Sequence, residues 1–495
     1  MSATMNRKSV FCKAAAAVCA VSALMAFNCF AVLAAPPEAM TADTVAMASV
    51  KVKEVTSPHL EPSVKTALNA FLKTYGNTSP DYRIENRPYA VFDFDNTTSV
   101  MDVEEQLMIW QLDHLAFAVA PEKMEDVLKT GIPAAKLDLT YGADDGSGKK
   151  VSIRSAIADA AKAYGELYAG GYVSVAGREQ PASVRRSGSY QEFAAKMRWL
   201  YDAIGETMDA SVSYPWVTYW FTGMTPEQVH ALAYQCDSYY GDPAKGQTWT
   251  KGAYASPKDY VSAAGPVTVS FKQGITVTPE IRELYAALDA NGIDTWINSA
   301  SPLDVVRAAV DYFRIPGVDG IVAMTNKKDE QGRYINAYDY DLHAQTQGVG
   351  KAETIDSVIR PLYHGRGPAF AAMDSQGDFN FCTEYKDTKL VLVLNRKRSD
   401  DAALCAAAAL WQKEKGIGLV AAGEQGDTLY VLQGRNENTG SLWATEETRL
   451  LGKKENAGLS DKGKAALQEL RQGKSIRDML HDKTKLSAYG GYKSR

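Results

Sequence analysis

The run Tyr89-Ala90-Val91-Phe92-Asp93-Phe94-Asp95-Asn96-Thr97 decides how this chain is read. Its first four residues form a short apolar stretch of buried-strand type. Two acids follow, one residue apart. Carboxylates are costly inside a core, whereas ligands in open α/β sheets bind beyond the carboxyl ends of the strands. Asp93 and Asp95 are therefore expected where the chain turns out of a strand and both can face one site. Asp93 can attack a phosphorus atom and form an aspartyl-phosphate. Asp95 can protonate the leaving alcohol and then activate water. Alone, Asp-x-Asp is also an ordinary turn with Asx hydrogen bonds.

Two more strand ends carry suitable groups. A strand is predicted from Ile293 to Asn298, followed by Ser299, whose hydroxyl can donate to a phosphoryl oxygen. Ser301-Pro302 reads as the N-cap and first residue of the next helix, so Ser299 is favoured for the site. A strand from Ala369 to Met373 leads into Asp374-Ser375-Gln376-Gly377-Asp378. Asp374 can join Asp93 around a hard cation, and magnesium suits oxygen ligands and a substrate phosphate. Lys351, in Gly348-Val349-Gly350-Lys351, adds a positive charge able to span nucleophile and phosphoryl group. By itself it would read as a solvated lysine at a helix start.

Asp-x-Asp-x-Thr, strand-Ser, Gly-Lys and strand-Asp-x3-Asp, in that order, resemble the haloacid dehalogenase superfamily of aspartyl-phosphate phosphatases. Asp93 and Asp95 match the first motif, Ser299 the second, Lys351 the third, and Asp374 with Asp378 the fourth. The resemblance implies a Rossmann-like parallel sheet core with an inserted, mainly helical cap, as in the phosphoserine-phosphatase-like branch. It implies magnesium held by the side chains of Asp93 and Asp374 and the backbone carbonyl of Asp95, with Asp378 nearby. Ser299, Lys351 and Thr97 become the phosphate-binding candidates. Met373 stands where many relatives carry Gly. Asp95 separates phosphatases from dehalogenating members, which lack it.

A narrower resemblance is to the secreted bacterial phosphorylcholine phosphatases, on Tyr89 to Thr97, Asp102-Val-Glu-Glu, Tyr214-Pro-Trp-Val, Phe221-Thr-Gly and Asn395-Arg-Lys. Its corollary is an aromatic site for a quaternary ammonium group. Glu104, Tyr214, Trp216 and Trp220 are the substrate candidates, with Trp199, Tyr201, Tyr219, Glu105 and Glu206 behind them. The plainer reading is that the aromatics form the cap's own core.

The rest of the chain frames this site. Helix-rich sequence with glycine breaks fills the region between the first two motifs, and Thr225-Pro226-Glu227-Gln228 reads as a capping box. From about Gly274, strands alternate with helices, which means a parallel sheet. The expected layout is a signal peptide over 1–35 and a leader with one helix over 36–84. The core takes 85–100 plus 272–400, the cap 101–271, and an extension that is loose at its end 401–495.

The 495 residues are 45% hydrophobic and 23% charged, ordinary globular values that exclude wholesale disorder and a multi-span membrane protein. A net charge of −5 gives no basis for nucleic-acid binding. Arg7, Lys8 and Lys13 precede an uncharged, Ala-rich run ending at Ala35, the pattern of a secretory signal. Losing those three positive charges takes −5 to −8. The protein is thus expected to be exported, with no stable membrane association after cleavage. Cys236, Cys382 and Cys405 allow at most one disulfide and match no zinc spacing. No Gly-x-Ser-x-Gly elbow, His-Glu-x-x-His or nucleotide P-loop is present. The leading expectation is a magnesium-dependent phosphomonoester hydrolase acting on a small phosphomonoester. The alternatives are a phosphotransferase of the same superfamily, or an inactive extracytoplasmic binding protein on the same fold.

Overall fold

In a computed structural model of the chain, residues 51–242, 249–481 and 491–495 are described. The expected signal peptide lies outside them. Six strands form one parallel sheet: β1 (Tyr89–Phe92), β2 (Asp294–Pro302), β3 (Gly320–Met324), β4 (Phe370–Met373), β5 (Leu390–Leu394) and β6 (Leu429–Gln433). Their spatial order is β6-β5-β4-β1-β2-β3. The chain leaves β1 toward β2 and β3, then returns to the other side of β1 to lay down β4. The order therefore reverses between β1 and β4, the position at which open α/β sheets bind ligands.

These strands are apolar because both sheet faces are covered. Side chains alternate between two cores. Ala90, Phe92, Phe370, Ala372, Leu390 and Leu392 belong to one. Tyr89, Val91, Ala371, Met373, Val391 and Val393 belong to the other. The first face carries the helices Pro62–Tyr75, Pro279–Ala290 and Leu303–Phe313, and the second Ala402–Glu414 and Asp461–Arg471. This is a Rossmann-like α/β architecture. Local signals set several helix starts. Thr278 caps Pro279–Ala290 through the Ile281 N–H. Thr225 and Gln228 form the expected capping box on Pro226–Tyr240.

A third core lies within the long insertion after β1. The helices Ile153–Ala169 and Gly188–Thr207 supply Ile157, Ala160, Phe193, Met197 and Leu200 to it. Gly142 to Lys149 turns the hairpin Thr140–Gly142/Lys150–Ser152, as expected of a cap turn. The helix Val103–His114 joins the bodies, with Leu107 and Ile109 in the first sheet core and Met108 and Leu112 in the cap core.

Three boundaries move. The helix Pro226–Tyr240, expected in the cap, buries Val229, Leu232 and Ala233 in the first sheet core. The sheet does not end near residue 400, because β6 pairs along the whole of β5. The last five residues are not loose. Tyr492 is buried, and Arg495 pairs with Glu384 and Asp356. Cys236, Cys382 and Cys405 are all free and buried. Among the described residues no helix is long and apolar enough to cross a membrane.

Candidate active site

Beyond the carboxyl ends of β1, β2 and β4 lies a cavity of about 610 Å³. Asp93 directly follows β1, and its N–H is bonded to the Ala372 carbonyl of β4 at 3.2 Å. Its side chain is held from both sides. Lys351 Nζ donates to Oδ1 at 2.6 Å, and Thr97 Oγ1 donates to Oδ2 at 2.7 Å. Thr97 thus braces Asp93 and does not line the cavity.

Lys351 is buried and also donates to Asp378 Oδ1 at 2.7 Å. Its delivery depends on the two glycines before it. Gly348 has φ +52°, and a Cβ at Gly350 would lie 2.0 Å from the Gln345 carbonyl oxygen. Burial alone would lower the pKa of Lys351, but Asp378 and Asp93 more than offset this and raise it. Asp378 closes a turn by accepting the N–H groups of Asp374 and Ser375, each at 3.3 Å. Burial, with Asp93 beside it, pushes the Asp378 pKa up to about 7. Removing Lys351 would strand two buried carboxylates, and breaking such a pair typically costs about 3–5 kcal/mol. Lys351→Met is therefore expected to lower the urea midpoint measured in chelator. An unchanged midpoint would show that Lys351 does not hold the cluster together.

Asp374 Oδ2 is held by Arg396 Nη1 at 2.7 Å. Oxygens of Asp93, Asp374 and Asp378 all lie within 4.8 Å of one another. The three acids of this cluster stand against the charges of Lys351 and Arg396. Buried, oxygen-only and carrying surplus negative charge, this donor set fits a hard divalent cation.

Asp95 stands apart from the cluster. Its Oδ1 accepts the Val103 N–H at 2.7 Å and its Oδ2 the Ser301 hydroxyl at 2.6 Å. Burial raises its pKa well above the usual carboxylate range, and Asp102 and Asp93 add to the rise. Asp102 caps the helix Val103–His114 through the Glu105 N–H at 2.9 Å. Burial, with Glu105 next, pushes Asp102 up to about 6.

The serines exchange places relative to expectation. β2 continues to Pro302, with a register shift between Ser299 and Pro302. The helix begins at Leu303 after Pro302, and no side chain caps it. Ser301 is free of that task and lines the cavity. Ser299 is fully buried, accepts the Ser301 N–H at 3.0 Å, and lies 3.4 Å from Asp95 Oδ2.

Of the substrate candidates, Glu104 and Tyr214 line the cavity, as do Tyr201 and Glu206. Trp216 and Trp220 do not. They meet edge to face within the cap core, and Trp216 Nε1 donates to the Leu128 carbonyl. Trp199 is likewise spent, on the Gly142 carbonyl, and Glu105 pairs with Arg198. Tyr219 is buried in the same core. Residues not anticipated at the cavity include Tyr141, Asp202, Ser213 and Arg398. Lys351, Arg396 and Arg398 line the cavity together with the acids Asp102, Glu104, Asp202 and Glu206, of which Asp202 is paired with Arg198. Burial, then Asp102 and Asp95, raises the Glu104 pKa well above the usual carboxylate range.

No family model matches the chain, and no curated protein matches it at a significant level. Among solved structures, a conserved functionally unknown protein from Anaerococcus prevotii DSM 20548 is similar over its whole length. It is 25% identical with a TM-score of 0.65, covering 81% of this chain and 100% of that one. The two share a fold. A HAD family hydrolase from Salmonella enterica subsp. enterica serovar Typhi matches at 8% identity and a TM-score of 0.28, over 62% of each chain. Cytosolic 5'-nucleotidase IIIB bound to cytidine matches at 12% identity and a TM-score of 0.28, over 73% of this chain and 86% of that one. At such TM-scores these two carry no weight for the chemistry.

Proposed function

We propose that the protein is a phosphomonoester hydrolase that works through an aspartyl-phosphate on Asp93. The observation that supports this most is the division of labour at the sheet's reversal point. Asp93 is fixed by Lys351 and Thr97 beside a cluster of acids, whereas Asp95 is held separately by Ser301 and the Val103 N–H. One carboxylate is thereby aimed as a nucleophile, and the other keeps a proton to give.

In this reading a phosphate monoester enters with its phosphorus against Asp93. A carboxylate oxygen of Asp93 bonds to phosphorus, and the ester P–O bond breaks. Asp95 gives its proton to the departing alkoxide. It then takes a proton from water as the water's oxygen attacks phosphorus and frees Asp93. Lys351 holds Asp93 Oδ1 in place and offsets phosphoryl charge throughout. Magnesium would be held by Asp93, Asp374 and the Asp95 carbonyl, with Asp378 adjoining, and would neutralise phosphate charge on entry.

The tyrosines and the acid Glu206 of the cavity favour an amine ester as substrate. Phosphate would sit toward Lys351, and a cationic group would face Glu206 among Tyr141, Tyr201 and Tyr214. Tyrosine faces and carboxylates both attract a quaternary ammonium group. Phosphocholine and phosphoethanolamine are the natural probes. Phosphate release with magnesium, and its loss in chelator, is expected to be faster on these two than on phosphoserine or a sugar phosphate. Equal rates on all four would remove the amine reading, and no release from any of them would remove the hydrolase reading.

A further inference from the structure

The chain beyond β6 delivers a buried ion pair to the acidic loop. Arg435 donates from Nη1 to the Asn96 carbonyl at 2.7 Å, and from Nη2 to Asn96 Oδ1 at 2.8 Å. The same Nη2 lies 2.8 Å from Glu437 Oε1. Arg435 is 1% exposed and Glu437 is fully buried. Asn96, between Asp95 and Thr97, has φ +65°. Glu437 reaches further. Its Oε2 accepts the Leu451 N–H at 3.0 Å, and its Oε1 is 3.7 Å from Arg396 Nε. Arg396 is the residue that grips Asp374.

We infer that Arg435 is a positioning residue for the acidic loop, holding Asn96 in its left-handed conformation so that Asp93 and Asp95 point at one phosphorus. The inference rests on the phosphoryl-transfer reading of the site. Left-handed backbone is disfavoured for any residue with a Cβ, although Asn tolerates it best. The planar guanidinium fork takes both Asn96 oxygens at once, which a lysine ammonium cannot reproduce. A buried guanidinium needs a counter-charge, and Glu437 supplies it. Through Arg396, the same carboxylate adjoins the second acidic strand end. The loops after β1 and β4 are thus referenced to one fixed point contributed by the segment after β6. Burial would raise the Glu437 pKa, but Arg435 and Arg396 reverse this and hold it at about 2.

The test compares Arg435→Lys, Asn96→Ala and the double variant in the full chain. Arg435→Lys is expected to reduce kcat on p-nitrophenyl phosphate about 10- to 100-fold, the usual effect of losing a partner that orients a site group. KM stays within about threefold, because substrate contacts are untouched. Amide hydrogen exchange over residues 93–98 speeds up, while that of the cap helix Ile153–Ala169 stays as in the wild type. The double variant loses less than the sum of the two single losses, because both remove the Nη2–Oδ1 bond, although Asn96→Ala keeps the carbonyl that accepts from Nη1. Wild-type exchange at 93–98, or losses that add in the double variant, would overturn the inference. If Arg435→Lys does not fold, Asn96→Ala alone must show the local exchange and the kcat loss, and wild-type values there overturn it equally. Failure of the wild-type chain to release phosphate would sink the hydrolase reading, while the exchange measurement would still decide the role of Arg435.

Discussion

Asp93→Asn eliminates phosphate release from p-nitrophenyl phosphate, by at least about 10⁴-fold, and leaves the fold intact. Loss of a covalent nucleophile has effects of that size because no other group replaces the missing bond. An amide is nearly isosteric with the carboxylate, and Lys351 retains Asp378 as its partner. Burial works most against the charge on Asp93, Lys351 offsets it only in part, and Asp374 adds to the rise. Neutralising one acid in a crowd of like charges relieves repulsion, so the melting temperature stays at or above that of the wild type. Phosphate assay and calorimetry on the same preparation check both halves. Near-wild-type turnover would show that another group attacks phosphorus.

Asp95→Asn separates the two chemical steps. p-Nitrophenolate leaves readily without a proton, so Asp93 is still phosphorylated. The intermediate then waits, because the base for water is gone. The expected signature is a burst of one nitrophenolate per enzyme, followed by turnover slowed about 10²- to 10⁴-fold. Phosphoethanolamine has a poor leaving group and needs the proton in the first step, so it gives no burst. Stopped-flow absorbance and acid-quench phosphate assays distinguish these cases. Unchanged steady-state rates on both substrates would remove Asp95 from the mechanism.

Much of the core is legible in sequence because its strands are buried on both faces. Tyr89–Phe92 and Leu390–Leu394 are continuous apolar runs, and such runs announce themselves. Asp93, Lys351, Asp374 and Asp378 can be gathered from sequence because each follows or faces a strand end, and the sheet converges those ends. Ser301 misleads because Ser-Pro is a local helix signal, whereas the length of β2 is set by pairing with β3 at Met324. Trp216 and Trp220 mislead because composition reveals an aromatic-rich segment but not which side faces inward. Arg435 and Glu437 give no local signal. A single arginine after a strand is no motif, and its partner Asn96 is 339 residues away.

The central place of β1 has a cost in time. Ala90 pairs with Thr295 and with Phe370, so neither neighbour exists when β1 leaves the ribosome. At roughly 5–20 residues per second, the first of them follows on the order of 10–40 s later. Pairings so distant in sequence form slowly, and an exposed apolar strand is an aggregation hazard meanwhile. Asp93 and Asp95 stand at the end of that strand from the moment it is made. Before they meet any substrate, these two carboxylates act as gatekeepers, giving the most vulnerable segment of the nascent chain a charge that keeps other strands off.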